Sequence, residues 1–214
     1  MKSFILLLIV KKMNIIYWCP YLTKIATITS VINSCNSLKN TKYIPKIINS
    51  CGEWQFYDKK QNLINFYDNF NLHKYLPKYG FFKSRLSLLI ISIITFFPLI
   101  LYLKKNKPKF LIIHLLTSVP LILNMLFNFD TKIILRISGM PKLGIFRNFL
   151  WKLGCKNIYA ITVPTEETLK KLKEKKIFSE HKIFLLRDPI IELKKNITDL
   201  NSNNEKFLKK KFLL

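Results

Sequence analysis

Three short clusters in this sequence combine residue types that hold anions or polarise hydroxyl groups. In the first, His114 is followed at short range by Thr117 and Ser118, which sets an imidazole and two hydroxyls just past an apolar run. In the second, Arg136, Ser138 and Gly139 close the next apolar run. A guanidinium suits phosphate or carboxylate, a hydroxyl adds a donor, and a glycine admits a ligand close to the backbone. The third is Thr23 and Lys24, in a turn that leads into a helix, where backbone amides and a helix amino end can hold an anion. Each cluster also has a plain structural alternative: a satisfied core histidine, an arginine paired with a structural acid, an ordinary strand-to-helix turn. No glycine-rich fingerprint follows the first strand, which excludes a dinucleotide site of that type. His73 and His181 stand outside these clusters and read as surface residues, and Arg187-Asp188-Pro189 reads as a hinge or interdomain turn.

Metal chemistry finds no support in the residue spacing. The four cysteines, Cys19, Cys35, Cys51 and Cys155, form no C-x-x-C pair and have no neighbouring histidines. They read as reduced, mostly buried thiols of a cytosolic compartment.

The elements that must position these clusters alternate. Asn14 to Trp18 reads as a buried strand, Ile25 to Leu38 as a helix, and Tyr43 to Ser50 as a second strand that Pro45 pushes to an edge or a bulge. Gly52 to Gly80 is polar and aromatic without a clear period, as expected of an insertion or a mobile loop. Then follow a strand at Phe110 to His114, a helix at Val119 to Phe127 with Pro120 in its first turn, and a strand at Lys132 to Ile137. A helix at Ile145 to Leu153 stops at Gly154, a strand runs from Ile158 to Val163, a helix opens at Thr165, and Ile183 to Leu186 is a last short strand. Repeated strand-helix units of this kind imply an α/β doubly wound parallel sheet, with ligands beyond the carboxyl ends of the strands. The expected boundaries are an extension over 1–12, the domain over 13–193, and an Asn- and Lys-rich linker over 194–214 whose ending, Lys206 to Leu214, resembles a strand just starting.

At 214 residues and half apolar, the chain can bury a core without disulfide or metal staples. Its formal charge of +24 is almost all lysine spread along the sequence. No nucleic-acid motif accompanies that charge, so an acidic lipid surface or a phosphate-bearing substrate fits better than nucleic acid. Leu86 to Leu103 is an uncharged run bounded by Lys83 and Arg85 on one side and Lys104 and Lys105 on the other. Its length approaches that of a membrane span, yet both flanks are positive and Pro98 lies inside it. It reads as a helix packed on the sheet or lying at the inner face of the cytoplasmic membrane, with a true span as the alternative.

The order of features also carries a resemblance. Lys107-Pro108-Lys109-Phe110-Leu111-Ile112-Ile113-His114, then the Ser138-Gly139 loop, then Ile158-Tyr159-Ala160-Ile161-Thr162-Val163-Pro164-Thr165 with its helix, is similar to the amino-terminal domain of family 4 glycosyltransferases over roughly residues 13 to 192. Lys109 stands where that family often has aspartate, and the first loop lacks the usual paired glycines. The resemblance implies the Rossmann-like amino-terminal lobe of the two-lobed GT-B fold, and a metal-free, cofactor-free transfer of a sugar, with retention, from a nucleotide sugar to a glycan or glycolipid acceptor of the cell envelope. It further implies that this lobe presents the acceptor and part of the donor pyrophosphate through Thr23 and Lys24, through His114 and its neighbours, and through Arg136 to Gly139. The family's second lobe carries a Gly-Arg/Lys-Gly stretch and a Glu-x7-Glu motif, and nothing after residue 192 matches either. The expectation is a fragment, a truncated or split gene product incomplete for catalysis alone, with 194–214 as the linker and start of a truncated second lobe. Two other readings stay open: a binding lobe that assembles with a separate partner, and a small membrane protein built on Leu86 to Leu103.

Overall fold

The computed structural model describes residues 12–38, 41–57, 62–68, 71–140 and 144–188. The expected amino-terminal extension up to residue 11, the linker over 194–214 and Pro189 therefore lie outside the described residues. Seven strands form one sheet: β1 (Met13–Trp18), β2 (Tyr43–Asn49), β3 (Leu63–Asn65), β4 (Phe110–Ile113), β5 (Lys132–Arg136), β6 (Ile158–Val163) and β7 (Ile183–Leu185). Their order across the sheet is β3-β2-β1-β4-β5-β6-β7, and every pairing is parallel. Among the described residues five α-helices serve five of the six connections, all but that from β2 to β3: α1 (Ala26–Ser37), α2 (Phe81–Asn106), α3 (Ser118–Phe127), α4 (Ile145–Gly154) and α5 (Glu166–Glu174). This is the α/β Rossmann-like architecture that the alternation of elements implies.

Both faces of the central strands are buried, and for that reason their sequences are nearly continuous Ile and Leu. Along β1, Ile15 and Tyr17 turn to one face and pack with Ile28, Val31 and Cys35 of α1, whereas Ile16 and Trp18 turn to the other. That second face is the larger core. It gathers Leu99 and Leu103 of α2, Val119, Leu121 and Leu123 of α3, Trp151 of α4 and Leu172 of α5 over Leu111, Ile113, Ile133, Leu135 and Ile161.

Local chemistry sets several boundaries. Thr165 caps α5 by accepting from the backbone N–H of Thr168 at 3.2 Å, and Glu166 and Glu167 occupy its first turn. Asn128 ends α3 in the left-handed conformation at φ 43°, a position that asparagine tolerates. Pro45 lies ahead of the stretch Ile47 to Asn49 that pairs with β3, so β2 is locally an edge where its proline sits.

The segment from Gly52 to Gly80 corrects the expectation of an insertion or mobile loop. Its described residues carry strand β3 and a short 3-10 turn at Leu72–Lys74, and they bury Trp54, Tyr57 and Leu76. Specific hydrogen bonds replace periodicity here. The Asn49 side chain accepts from the backbone N–H groups of Gly52 and Trp54, at 3.2 and 3.1 Å, and donates to Asn65 Oδ1 at 2.9 Å. Both carboxylate oxygens of Glu53 accept backbone N–H groups, from Ser50 at 3.0 Å and Cys51 at 2.8 Å. Gly52 takes φ 99° and packs its α-carbon against Asn71, where any side chain would collide. Replacing Asn49 with alanine strands two buried N–H donors, and the expected cost is about 2 to 3 kcal/mol in a urea unfolding titration. An unchanged midpoint would show that the side chain does not organise this loop.

Candidate functional site

The strand order reverses between β1 and β4, because the chain leaves β3 at one edge and returns through α2 to the centre of the sheet. In a parallel sheet that reversal opens a crevice beyond the carboxyl ends of the strands. Two clefts lie at this edge.

The larger, about 500 Å³, is bounded by the amino half of α2, the loops after β4 and β5, and α4. His114, Thr117, Ser118, Arg136, Ser138 and Gly139 all line it. The fold thus brings together two clusters that are 22 residues apart in the sequence, counting from His114 to Arg136 (136 minus 114). Thr23 and Lys24 are not among them. They line a second cleft of about 310 Å³, at the ends of β1 and β2, with Tyr21, Glu53, His73 and Lys78. The link between the first loop and the larger cleft is Thr27, whose hydroxyl lies 3.4 Å from that of Ser138.

His114 is almost fully buried, and its Nδ1 has no hydrogen-bond partner among the described residues. Burial first, and then the nearby Arg136 guanidinium, push its pKa down to about 3, with Asp188 pulling the other way. The imidazole is therefore neutral near pH 7, a hydrogen-bonding group rather than a cation. The loop that follows is held in an uncommon conformation. Leu116 sits at φ 49°, and its carbonyl accepts from the Trp18 indole N–H at 3.2 Å. That bond ties the floor of the cleft to the core strand β1. Trp151 of α4 donates weakly to the Thr117 hydroxyl at 3.5 Å and closes the opposite wall.

Arg136 is committed inside the protein. Its Nη2 donates to Asp188 Oδ1 at 2.5 Å, and its Nη1 donates to the Leu186 carbonyl. The guanidinium is only 5% exposed, so it anchors the turn after β7 while contributing positive potential to the cleft. The turn at Arg187 and Asp188 is accordingly tied to β5. Gly139 is open on its side-chain side, with no atom within 4 Å of where a Cβ would lie, and its φ is not in the left-handed region. Its missing side chain is room in the cleft rather than a backbone necessity.

Sequence reasoning missed several lining residues. Arg85 and Ser92 reach the larger cleft from α2, and Arg147 reaches it from α4. Arg85 was legible only as a flank of the apolar run. His73, expected at the surface without a role, is half-buried in the second cleft, where its Nε2 lies 3.0 Å from the Leu22 carbonyl. Burial, then Lys78, push its pKa below the ordinary value. Glu53 lines the same cleft and is buried, and burial pushes its carboxyl up although the backbone N–H groups of Cys51, Ser50 and Glu53 itself pull it down. With both oxygens engaged, Glu53 organises the loop. His181 is exposed, as expected. Among the described residues no His, Cys, Asp or Glu cluster has the arrangement of a metal site, and Cys19, Cys35 and Cys51 are buried thiols.

The fold is similar to that of solved sugar-nucleotide enzymes. One is UDP-GlcNAc 2-epimerase from Neisseria meningitidis bound to UDP-GlcNAc, with a TM-score of 0.52 and 14% identity, covering 93% of this chain and 53% of that one. Another is UDP-N-acetylglucosamine 2-epimerase from Rickettsia bellii, with a TM-score of 0.53 and 11% identity, covering 88% and 48% respectively. Both are GT-B-fold proteins, and at these identities the likeness is one of fold. This chain spans about half the length of either. No protein-family model matches the sequence, and no curated protein does.

His114 makes a stability prediction with a definite sign. Its folded pKa lies below the unfolded value of 6.5, so its contribution is fully present above pH 6.5 and is lost as the pH falls toward about 3. Over that window the unfolded chain takes up a proton that the folded chain refuses. His114→Gln is expected to flatten the acid limb of the unfolding free energy relative to the parent chain, by up to about 1.4 kcal/mol per pH unit. Parallel profiles for parent and variant in urea titrations would contradict this.

Proposed function

We propose that this chain is the amino-terminal lobe of a two-lobed nucleotide-sugar enzyme, a retaining glycosyltransferase of the family 4 type, and that the cleft beyond β4 and β5 receives the acceptor and part of the donor diphosphate. The observation that carries this reading is the convergence of His114, Thr117, Ser118, Arg136, Ser138 and Gly139 on one cleft beside the chain reversal. A structural neighbour bound to UDP-GlcNAc supports a sugar-nucleotide ligand.

The chemistry follows from the groups present. A neutral His114 lines the cleft and offers a polar ring there without a protonation change near pH 7. The amino end of α3 at Ser118 presents backbone N–H groups, which favour a phosphate oxygen. The Ser138 hydroxyl and the open backbone at Gly139 add close-range contacts, and Arg85 supplies a cation at the rim. Arg136 acts as a positioning residue through its hold on Leu186 and Asp188. Thr23 and Lys24, in the second cleft, are assigned to the same ligand's extension toward the end of β1.

In transfer, the acceptor hydroxyl would replace the nucleoside diphosphate at the anomeric carbon. Stabilising the departing diphosphate needs several preorganised donors. By the family resemblance, those donors and the groups that recognise the nucleoside belong to the second lobe. The chain alone, titrated calorimetrically with a panel of UDP- and GDP-sugars, is therefore expected to show no micromolar binding. Micromolar affinity would contradict the division of labour between two lobes and place a complete donor site within these residues.

A further inference from the structure

Helix α2 is built the wrong way round for a helix on a water-soluble surface. Its sheet-facing side carries Ile91, Leu99 and Leu103, but also two hydroxyls, Ser87 and Thr95, both fully buried. Each hydroxyl is satisfied locally: Ser87 donates to the Pro77 carbonyl at 2.6 Å, and Thr95 donates to the Ile91 carbonyl at 2.6 Å. The side facing away from the sheet carries Phe82, Leu86, Leu89, Ile93, Phe97 and Leu101, each more than half exposed. Their spacing of three and four residues makes one continuous stripe along the helix. A surface helix normally turns charged and polar groups outward, and no charge interrupts this stripe between Arg85 and Lys104.

We infer that α2 is a membrane-docking helix that lies in the interface of a bilayer containing anionic lipids, with its outer stripe in the acyl boundary and its ends in the headgroup layer. Charge decides the occupant. Lys83 and Arg85 flank one end of the stripe and Lys104 and Lys105 the other, all exposed, on a chain of formal charge +24. Lysines at both ends of an apolar stripe match a surface that is apolar within and anionic at its rim. Exposed Tyr75 and Tyr79 just before the helix add rings of the type that settles at headgroup level. A second copy of this chain would instead set the same lysines against each other. Crossing the bilayer is a different matter: α2 is 26 residues long and apolar enough, but a span would withdraw Ile91, Leu99 and Leu103 from contacts with the core.

Docking this way has a consequence for the cleft. Arg85 and Ser92 sit on the same helix and line the larger cleft, so its rim lies at the lipid surface. An acceptor carried on a lipid would reach the cleft without leaving the bilayer. That consequence rests on the transferase reading, whereas the docking itself does not.

Flotation of the full chain with vesicles separates the alternatives. Binding is expected to phosphatidylcholine vesicles that contain phosphatidylglycerol and not to phosphatidylcholine alone, with release at high salt. Lys83→Glu with Lys105→Glu, and separately Ile93→Asp with Phe97→Asp, should each lower binding about tenfold or more. Circular dichroism and thermal midpoints should stay at the parent values, because these side chains already face water. Three results would overturn the inference: carbonate-resistant association indifferent to salt, which marks a span; full binding by the Ile93→Asp, Phe97→Asp chain; or a dimer dissolved by that variant with no vesicle binding in the parent. Since no nucleotide enters the assay, failure of the sugar-nucleotide reading would leave its outcome untouched.

Discussion

Parallel strands cannot be joined by tight turns, so each connection must run back over the sheet before the next strand begins. In this chain that requirement places every strand's carboxyl end on one edge, and it forces the long return from β3 at the rim to β4 at the centre. The return is α2. One cleft lies at the ends of β1 and β2 and the other beyond β4 and β5 against α2, and Thr27 meets Ser138 between them. The place of the site is thus a consequence of strand order, and its residues come from the loops after β4 and β5 and from the flanking helices α2 and α4.

The same helix must satisfy the core and whatever lies outside. Its inner side has given two positions to hydroxyls, which satisfy themselves against nearby carbonyls. Its outer side keeps large apolar groups. Contacts across α2 therefore run from the core cluster, through the helix, to an apolar surface beside the cleft. Part of the wall of the larger cleft and that surface belong to one element, α2.

The strands were legible because burial on both faces leaves little choice but Ile, Leu and Val, and the runs at Phe110, Lys132 and Ile158 give up their limits almost to the residue. The Thr165 cap was equally readable, since a helix amino end needs an acceptor there. The stretch from Gly52 to Gly80 was not legible. Its order comes from Asn49 reaching Asn65, Glu53 gathering two amides, and the His73 N–H reaching the Cys51 carbonyl at 2.9 Å, none of which leaves a period in the sequence. For the site, residue types and strand ends located the cleft, but partners decided the roles. Arg136 has the chemistry of a phosphate ligand, yet Asp188 stands 52 positions away in the chain and claims it. Arg85 was hidden in plain view, as the border of an apolar run whose fold had first to be known.

The central claim, that the cleft beyond β4 and β5 receives the phosphate-bearing end of a sugar nucleotide, is tested most directly by amide chemical-shift mapping of the labelled chain titrated with inorganic pyrophosphate and with UDP. Binding by a single lobe should be weak, on the order of millimolar, or about 4 kcal/mol. The account predicts saturable shifts centred on Thr117, Ser118, Ser138 and Gly139, with the His114 ring protons moving alongside. Shifts that saturate at another surface while these four amides stay fixed would contradict it.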